Sequence, residues 1–264
     1  MNTTLILSDN SSDFTICLSP QIYLNVHKQY EAALFGIDLY NSIPNITEDN
    51  NKFKYSTDNG NNWKIIKLNK GSYELQAIND EIQRQMVIHG DYDSKSNEFY
   101  ITITPNITEL KSIINITNES YLVDFTVENS IGPTLGFKNL IIEHGYNTSP
   151  DMVDITKVNS VLVNVDIISG SYVNGNQSPT IYSFDPNHVS PGYKIDERPN
   201  PTLMFYPVTR WCIDSVRVQL TDQDNKPIDL RGERVTVKLC IREVQNVKEQ
   251  IKNAIKELKS ENII

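Results

Sequence analysis

Residues 234 to 242 read RVTVKLCIR, and this strict alternation restricts the fold more than any other feature of the chain. Successive side chains of an extended strand point to opposite faces. Val235, Val237, Leu239 and Ile241 therefore share one face, and Arg234, Thr236, Lys238 and Arg242 share the other. A helix would scatter the same residues around its circumference. The period recurs in SVLVNVDII (Val161, Val163, Val165, Ile167), in EFYITIT (Phe99, Ile101, Ile103) and in YLVDFTV (Tyr121, Val123, Phe125, Val127). Shorter candidates lie near residues 14, 22, 31, 63, 180, 203 and 215. About ten short strands separated by turn-forming sequence predict a β-sandwich or barrel.

The connections carry turn chemistry. Asn59-Gly60 favours the positive backbone angles of a tight turn. Residues 185 to 201 hold four prolines, which exclude a regular helix or a central strand and leave loop or sheet edge. The acidic stretch DQDNKPIDLRGE, residues 222 to 233, begins like a calcium loop with Asp222 and Asp224. Lys226, however, puts a cation where a third oxygen ligand belongs, and Pro227 replaces the glycine of the sharp bend. The stretch reads instead as a hairpin whose returning arm, through Ile228 and Leu230, leads into the strand at 234.

Two helices interrupt the pattern. Leu75, Ile78, Ile82 and Met86 recur at spacings of three and four, with Ser72 placed to cap the helix and Glu74 in its first turn. An amphipathic helix packed over one end of the sandwich is expected. At the other end of the chain Val244, Val247, Ile251, Ala254 and Leu258 are spaced three, four, three and four, a narrow apolar seam two heptads long. It must cover itself on its own domain or on a neighbouring subunit. No Ser/Gly linker divides the chain, so residues 1–243 are expected to form a single domain and 244–264 a helical tail.

Charge and motifs narrow the function. The balance of 24 basic against 33 acidic residues gives a formal charge of −9, which opposes broad attraction to nucleic acid or anionic lipid. Cys17, Cys212 and Cys240 are odd in number and form no CxxC pair, so free thiols in a reducing compartment are expected. No apolar run approaches the roughly 18 residues of a membrane span, and the first residues lack the basic and apolar regions of a secretory signal. His27, His89, His144 and His188 form no metal-ligand spacing, and there is neither a phosphate-binding glycine loop nor a nucleophile elbow. No catalytic residue, metal or cofactor is expected.

"LTDQDNKPIDLRGERVTVKLCIRE", preceded by "FYPVTRWCIDSVRVQ", resembles the closing strands of the penton, or minor capsid, proteins of Polinton/Maverick elements, adintoviruses and virophages. "YEAALFGIDLYNSIPNI", "KGSYELQAINDEIQRQM" and "SIGPTLGF" are similar to segments of the same proteins and occur in the same order. The resemblance implies an all-β, single jelly-roll protein without catalytic residues. It implies homopentamers that plug the five-fold vertices of an icosahedral capsid, beside a double jelly-roll major capsid protein. The seam of Val244, Val247, Ile251 and Leu258 has no counterpart there and is a candidate subunit interface. The competing expectation is a jelly-roll carbohydrate- or receptor-binding module in which Trp63, Tyr182, Tyr193 and Trp211 stack on a sugar ring.

Overall fold

The strand read from residues 234 to 242 lies in the middle of a sheet, which is why its inward face is so uniformly apolar. The computed structural model describes residues 2–93, 98–199 and 202–244. Eight of its strands are labelled β1 (Asn2–Asp9), β2 (Asp13–Tyr23), β3 (Tyr30–Tyr40), β4 (Val161–Val165), β5 (Thr180–Phe184), β6 (Lys194–Glu197), β7 (Cys212–Thr221) and β8 (Val235–Glu243). They form two antiparallel sheets of order β1-β8-β3-β6 and β5-β4-β7-β2. Tyr206–Pro207 adds a second short piece beside β6 along the edge of β3. Strands that alternate between two sheets in this order make a jelly roll, two interlocked Greek keys closed over one core. Leu34, Ile37, Val237 and Leu239 from the first sheet meet Val163, Val165, Val216 and Val218 from the second, all but excluded from solvent.

Between β3 and β4 the chain builds a second hydrophobic core. Its strands form two further antiparallel sheets: Lys64–Lys67, Lys52–Ser56, Leu122–Asp124 and Ile141–Ile142 in one, and Gly145–Thr148, Lys111–Ile116 and Ile101–Asn106 in the other. Helix α1 (Leu75–His89) packs here and not on the sandwich. Its buried face of Leu75, Ile78, Ile82 and Met86 meets Ile101, Ile103, Phe53 and Tyr55. The periodicity was sufficient to expect a one-sided helix, but a one-sided helix fits any apolar floor. Its start also differs from expectation. Glu74 is the N-cap and makes no side-chain cap bond, while its carbonyl accepts from the Ile78 amide at 3.1 Å. Gly90, at φ +75°, ends the helix in the left-handed conformation that glycine adopts at least cost.

The jelly-roll strands fall where alternation put them, with three informative differences. The runs near residues 14 and 22 are one continuous strand, β2. In β4 every residue is buried, including Leu162 and Asn164, which alternation assigned to solvent. The Asn164 amide is satisfied there by Thr180 and Thr221 from the two flanking strands. The third difference is the turn after β7. Asp222 Oδ1 accepts from the amides of Asp224 at 2.9 Å and Lys226 at 2.8 Å, and Asn225 takes φ +62°. Residues 220 to 228 do double back, with the Ile228 amide donating to the Leu220 carbonyl at 3.2 Å. But β7 and β8 belong to opposite sheets, so the chain then crosses the sandwich, burying Ile228 and Leu230 on the way.

The proline-rich segment becomes a 3-10 turn at Pro186–His188 followed by the edge strand β6. Asp185 caps that turn by accepting from the Asn187 amide.

Candidate interaction surface

The two ends of the sandwich differ. Strand β3 runs from Tyr30 to Tyr40 and then delivers the chain to the second core, which returns it at the start of β4. Entry and exit lie side by side, since Asn45 Nδ2 donates to the Ile155 carbonyl at 3.2 Å and to the Tyr73 carbonyl at 2.7 Å. A cavity of about 210 Å³ sits at this junction, lined by Asn41, Asn45, Ser72, Tyr73, Lys157 and Asn187 among others. Asn41 uses its amide to hold the carbonyls of Pro186 and Val189, and Lys70 pairs with Asp229 across the two cores. Both junction asparagines, Asn41 and Asn45, thus spend their side-chain amides on backbone carbonyls.

At the opposite end lies the larger groove, about 680 Å³, between the β2–β3 loop, the residues that precede β7 and the end of β8. Backbone bonds shape it: the Leu24 amide donates to the Trp211 carbonyl at 2.7 Å, the Val208 amide to the Tyr30 carbonyl at 2.9 Å, and the Val244 amide to the Gln29 carbonyl at 2.9 Å. Three large apolar side chains stand out on and beside its rim. Tyr23, Val26 and Trp211 are each more than 60% exposed, with the Tyr23 and Trp211 rings 6.3 Å apart. Charged pairs surround this apolar surface: Arg242 with Glu31 at 2.5 Å, Lys28 with Glu243 at 2.8 Å and Arg210 with Asp166 at 2.7 Å. The Arg242 guanidinium also lies over the Phe205 ring.

Of the seam expected at a subunit interface, Val244 lines this groove and is 37% exposed. Val247, Ile251 and Leu258 lie outside the described residues. The four aromatics considered for sugar stacking are not brought together. Trp63 faces Lys54 beside the second core, Tyr182 stacks on Phe184, Trp211 pairs with Tyr23, and Tyr193 stands exposed in the segment after Pro191. Alternation and composition carry no information on where such rings meet. They likewise could not disclose the groove, whose walls come from residues 24–31, 207–211 and 244.

The outer face of the first sheet holds the densest charge cluster. Asp38 on β3 receives Lys194 at 3.2 Å, Arg198 at 3.3 Å and Lys238. Burial pushes its carboxyl up, but hydrogen bonds from Lys238 and Lys194 outweigh that and hold it below the usual carboxylate range. The cluster ties β3 to its two neighbouring strands, with Arg198 also paired to Asp196 at 2.7 Å. Among the described residues no group of three or more His, Cys, Asp or Glu side chains is arranged to hold a metal ion. No helix among them is long and apolar enough to cross a membrane.

No family model matches the chain, and no curated protein matches it. A solved structure does. The chain is similar to the mavirus penton protein. That crystal structure aligns over 92% of this chain and 100% of the penton chain, at 11% sequence identity and a TM-score of 0.48.

Proposed function

We propose that the protein is a structural capsid subunit, a penton protein that forms homopentamers at the five-fold vertices of an icosahedral virion. The observation that carries this is where the penton-like sequence lies in the fold. Residues 205–243, which resemble the closing strands of penton proteins, supply β7 and β8, which are interior strands of the two jelly-roll sheets. The other similar segments supply β3, α1 and the 3-10 turn Pro133–Leu135. The resemblance is therefore distributed over the framework of the molecule and not confined to one loop.

Residues 1–243 then form the body of each subunit, and the seam of Val244, Val247, Ile251 and Leu258 forms a contact between neighbours. A closed ring joins one patch of each subunit to a different patch of the next, and the two dissimilar ends and edges of this sandwich supply such unlike patches. The expected partners are further copies of this chain and a double jelly-roll major capsid protein, at the capsid vertex, with a structural and not a catalytic role.

Light scattering on the chromatographed protein tests this directly. The expected species has five times the 30.1 kDa chain mass, and electron microscopy of the protein co-expressed with its major capsid partner is expected to place it at vertices. A strict monomer at high concentration that does not join shells overturns the assignment.

A further inference from the structure

We infer that Asn174 is a site of spontaneous covalent modification, at which the side-chain amide is lost as ammonia and the chain is left with aspartate or isoaspartate. Asn-Gly is the pair in which this reaction meets least obstruction, because glycine has no side chain to shield its amide. The chain contains two such pairs, Asn59-Gly60 and Asn174-Gly175. Both turn through the left-handed region, at φ +56° and +84° in the first and +50° and +81° in the second, the positive angles of a tight hairpin turn. Their surroundings separate them. The Gly60 amide, which would have to attack, already donates to Ser56 Oγ at 2.9 Å, and the Asn59 amide donates to the Ser120 carbonyl at 2.9 Å. Asp58 fastens the same loop by accepting from Asn62 N and Nδ2, and a Cβ on Gly60 would meet Leu122 and Trp63 at 3.5 Å. Around Gly175 the space is open. Nothing lies within 4 Å of such an atom, and among the described residues no group accepts from its amide. The Asn174 side chain is held only by a long bond, Nδ2 to the Gln223 carbonyl at 3.4 Å. The hairpin that carries the pair, Ser171–Val173 and Asn176–Ser178, joins neither jelly-roll sheet. A lone two-stranded hairpin is marginal in water, so this turn leaves its left-handed conformation while the sandwich stays folded.

The Gly175 backbone nitrogen, after base removes its proton, attacks Asn174 Cγ. A C–N bond forms to close a succinimide ring, and the Cγ–Nδ2 bond breaks with the nitrogen leaving, protonated, as ammonia. Water then adds to one ring carbonyl and the C–N bond at that carbon breaks. Opening at Cγ gives aspartate, and opening at the main-chain carbonyl gives isoaspartate; nothing is oxidised or reduced. Either product removes the donor that Asn174 offers Gln223 and puts a carboxylate there, beside a turn that already carries Asp222 and Asp224. The hairpin tip is released from that turn. Gln223 keeps its own side-chain bonds to the Asn159 amide and the Lys157 carbonyl, so the release stays local.

Peptide mapping by mass spectrometry on the full chain, aged folded in mildly alkaline buffer and in parallel in urea, tests the assignment. Expected in the folded protein is conversion at Asn174 many-fold faster than at Asn59, with isoaspartate among the products and a rate that rises with pH. In urea the preference is expected to collapse, because the bonds that guard Gly60 are gone. Equal rates at the two sites in the folded protein, the same preference in urea, or an unmodified Asn174 under conditions that convert the unfolded chain each overturn the assignment. Asn174→Asp supplies one product directly. Its hydrogen exchange is expected to rise several-fold in residues 171–178 and to stay unchanged in β4 and β7. Exchange that rises equally in those strands, or nowhere, overturns the local release.

Discussion

Tyr55 Oη donates to Asp91 Oδ2 at 2.6 Å, joining a fully buried ring of the second core to the residue just beyond helix α1. The same carboxylate takes Lys64 Nζ at 2.8 and 2.6 Å. His89 Nδ1 lies 2.8 Å from Tyr55 Oη. The phenol has one hydrogen and donates it to Asp91, so a hydrogen bond with His89 needs Nδ1–H as the donor. Replacing Tyr55 with Phe keeps the packing but removes a hydrogen bond to a charged group. The expected loss is about 1.5–3 kcal/mol in urea unfolding.

The same ring sets an alkaline limit. Burial, then the hydrogen bond and charge of Asp91, push the Tyr55 phenol far above its ordinary value, and burial followed by the Asp91 charge takes Tyr121 up to about 12. Both pKa values are raised in the fold, so their contribution is full below about pH 10, where the unfolded phenols are neutral. It falls as pH rises above that, because the unfolded chain ionises first. Tyrosinate absorbance in a pH titration is expected to show two phenols that ionise only as circular dichroism reports unfolding.

Acid acts through Asp124, which is 4% exposed and 3.1 Å from Lys54 Nζ. Burial pushes its carboxyl up, yet the hydroxyl and amide of Thr126 and the Lys54 ammonium outweigh it and hold the pKa below the usual range. Stability from a lowered pKa is present above about pH 4 and is lost as pH falls through the folded value. Asp124→Asn is expected to melt below the native protein at pH 7, with the difference shrinking as pH is lowered through the acid range in thermal scans.

Gly136 is required by geometry. Its φ is +81°, and a Cβ there would lie 2.3 Å from the Asp151 carbonyl oxygen, a backbone atom that cannot swing aside. Its own carbonyl also accepts from the Asp151 amide at 3.1 Å. Left-handed backbone at a residue with a side chain costs about 1–3 kcal/mol before that clash is added. Gly136→Ala is expected to exceed this range in chemical denaturation.

Asn164 pins three strands of the second jelly-roll sheet. It accepts from the Thr180 hydroxyl at 2.6 Å and donates to Thr221 Oγ1 at 3.2 Å. Asn164→Ala leaves a buried hydroxyl short of a partner and is expected to cost about 1–3 kcal/mol. Hydrogen exchange is expected to rise most in β4 and β5.

Alternation exposed the strands because it reports which side chains leave water, and β8 shows the limit of that information. Val235 to Ile241 declared a buried face, but nothing in the run said that its neighbours would be β1 and β3 and not β7, the strand just before it. The second core was illegible for the same reason. Ile101 and Ile103 look like any inward pair, and the connection NSIPN at residues 41–45 has no linker composition. The groove was less legible still: Trp211 and Val26 mark it by standing in water, where a sequence pattern gives no signal.

Because the chain crosses into the second core and back at adjacent points, held by Asn45, no jelly-roll strand is rerouted to accommodate what lies between residues 45 and 155. The sandwich acts as a socket there. Segments of different size and shape could be exchanged at that position while the eight-stranded framework keeps its register, which makes it the natural graft site for displaying foreign sequence on this protein.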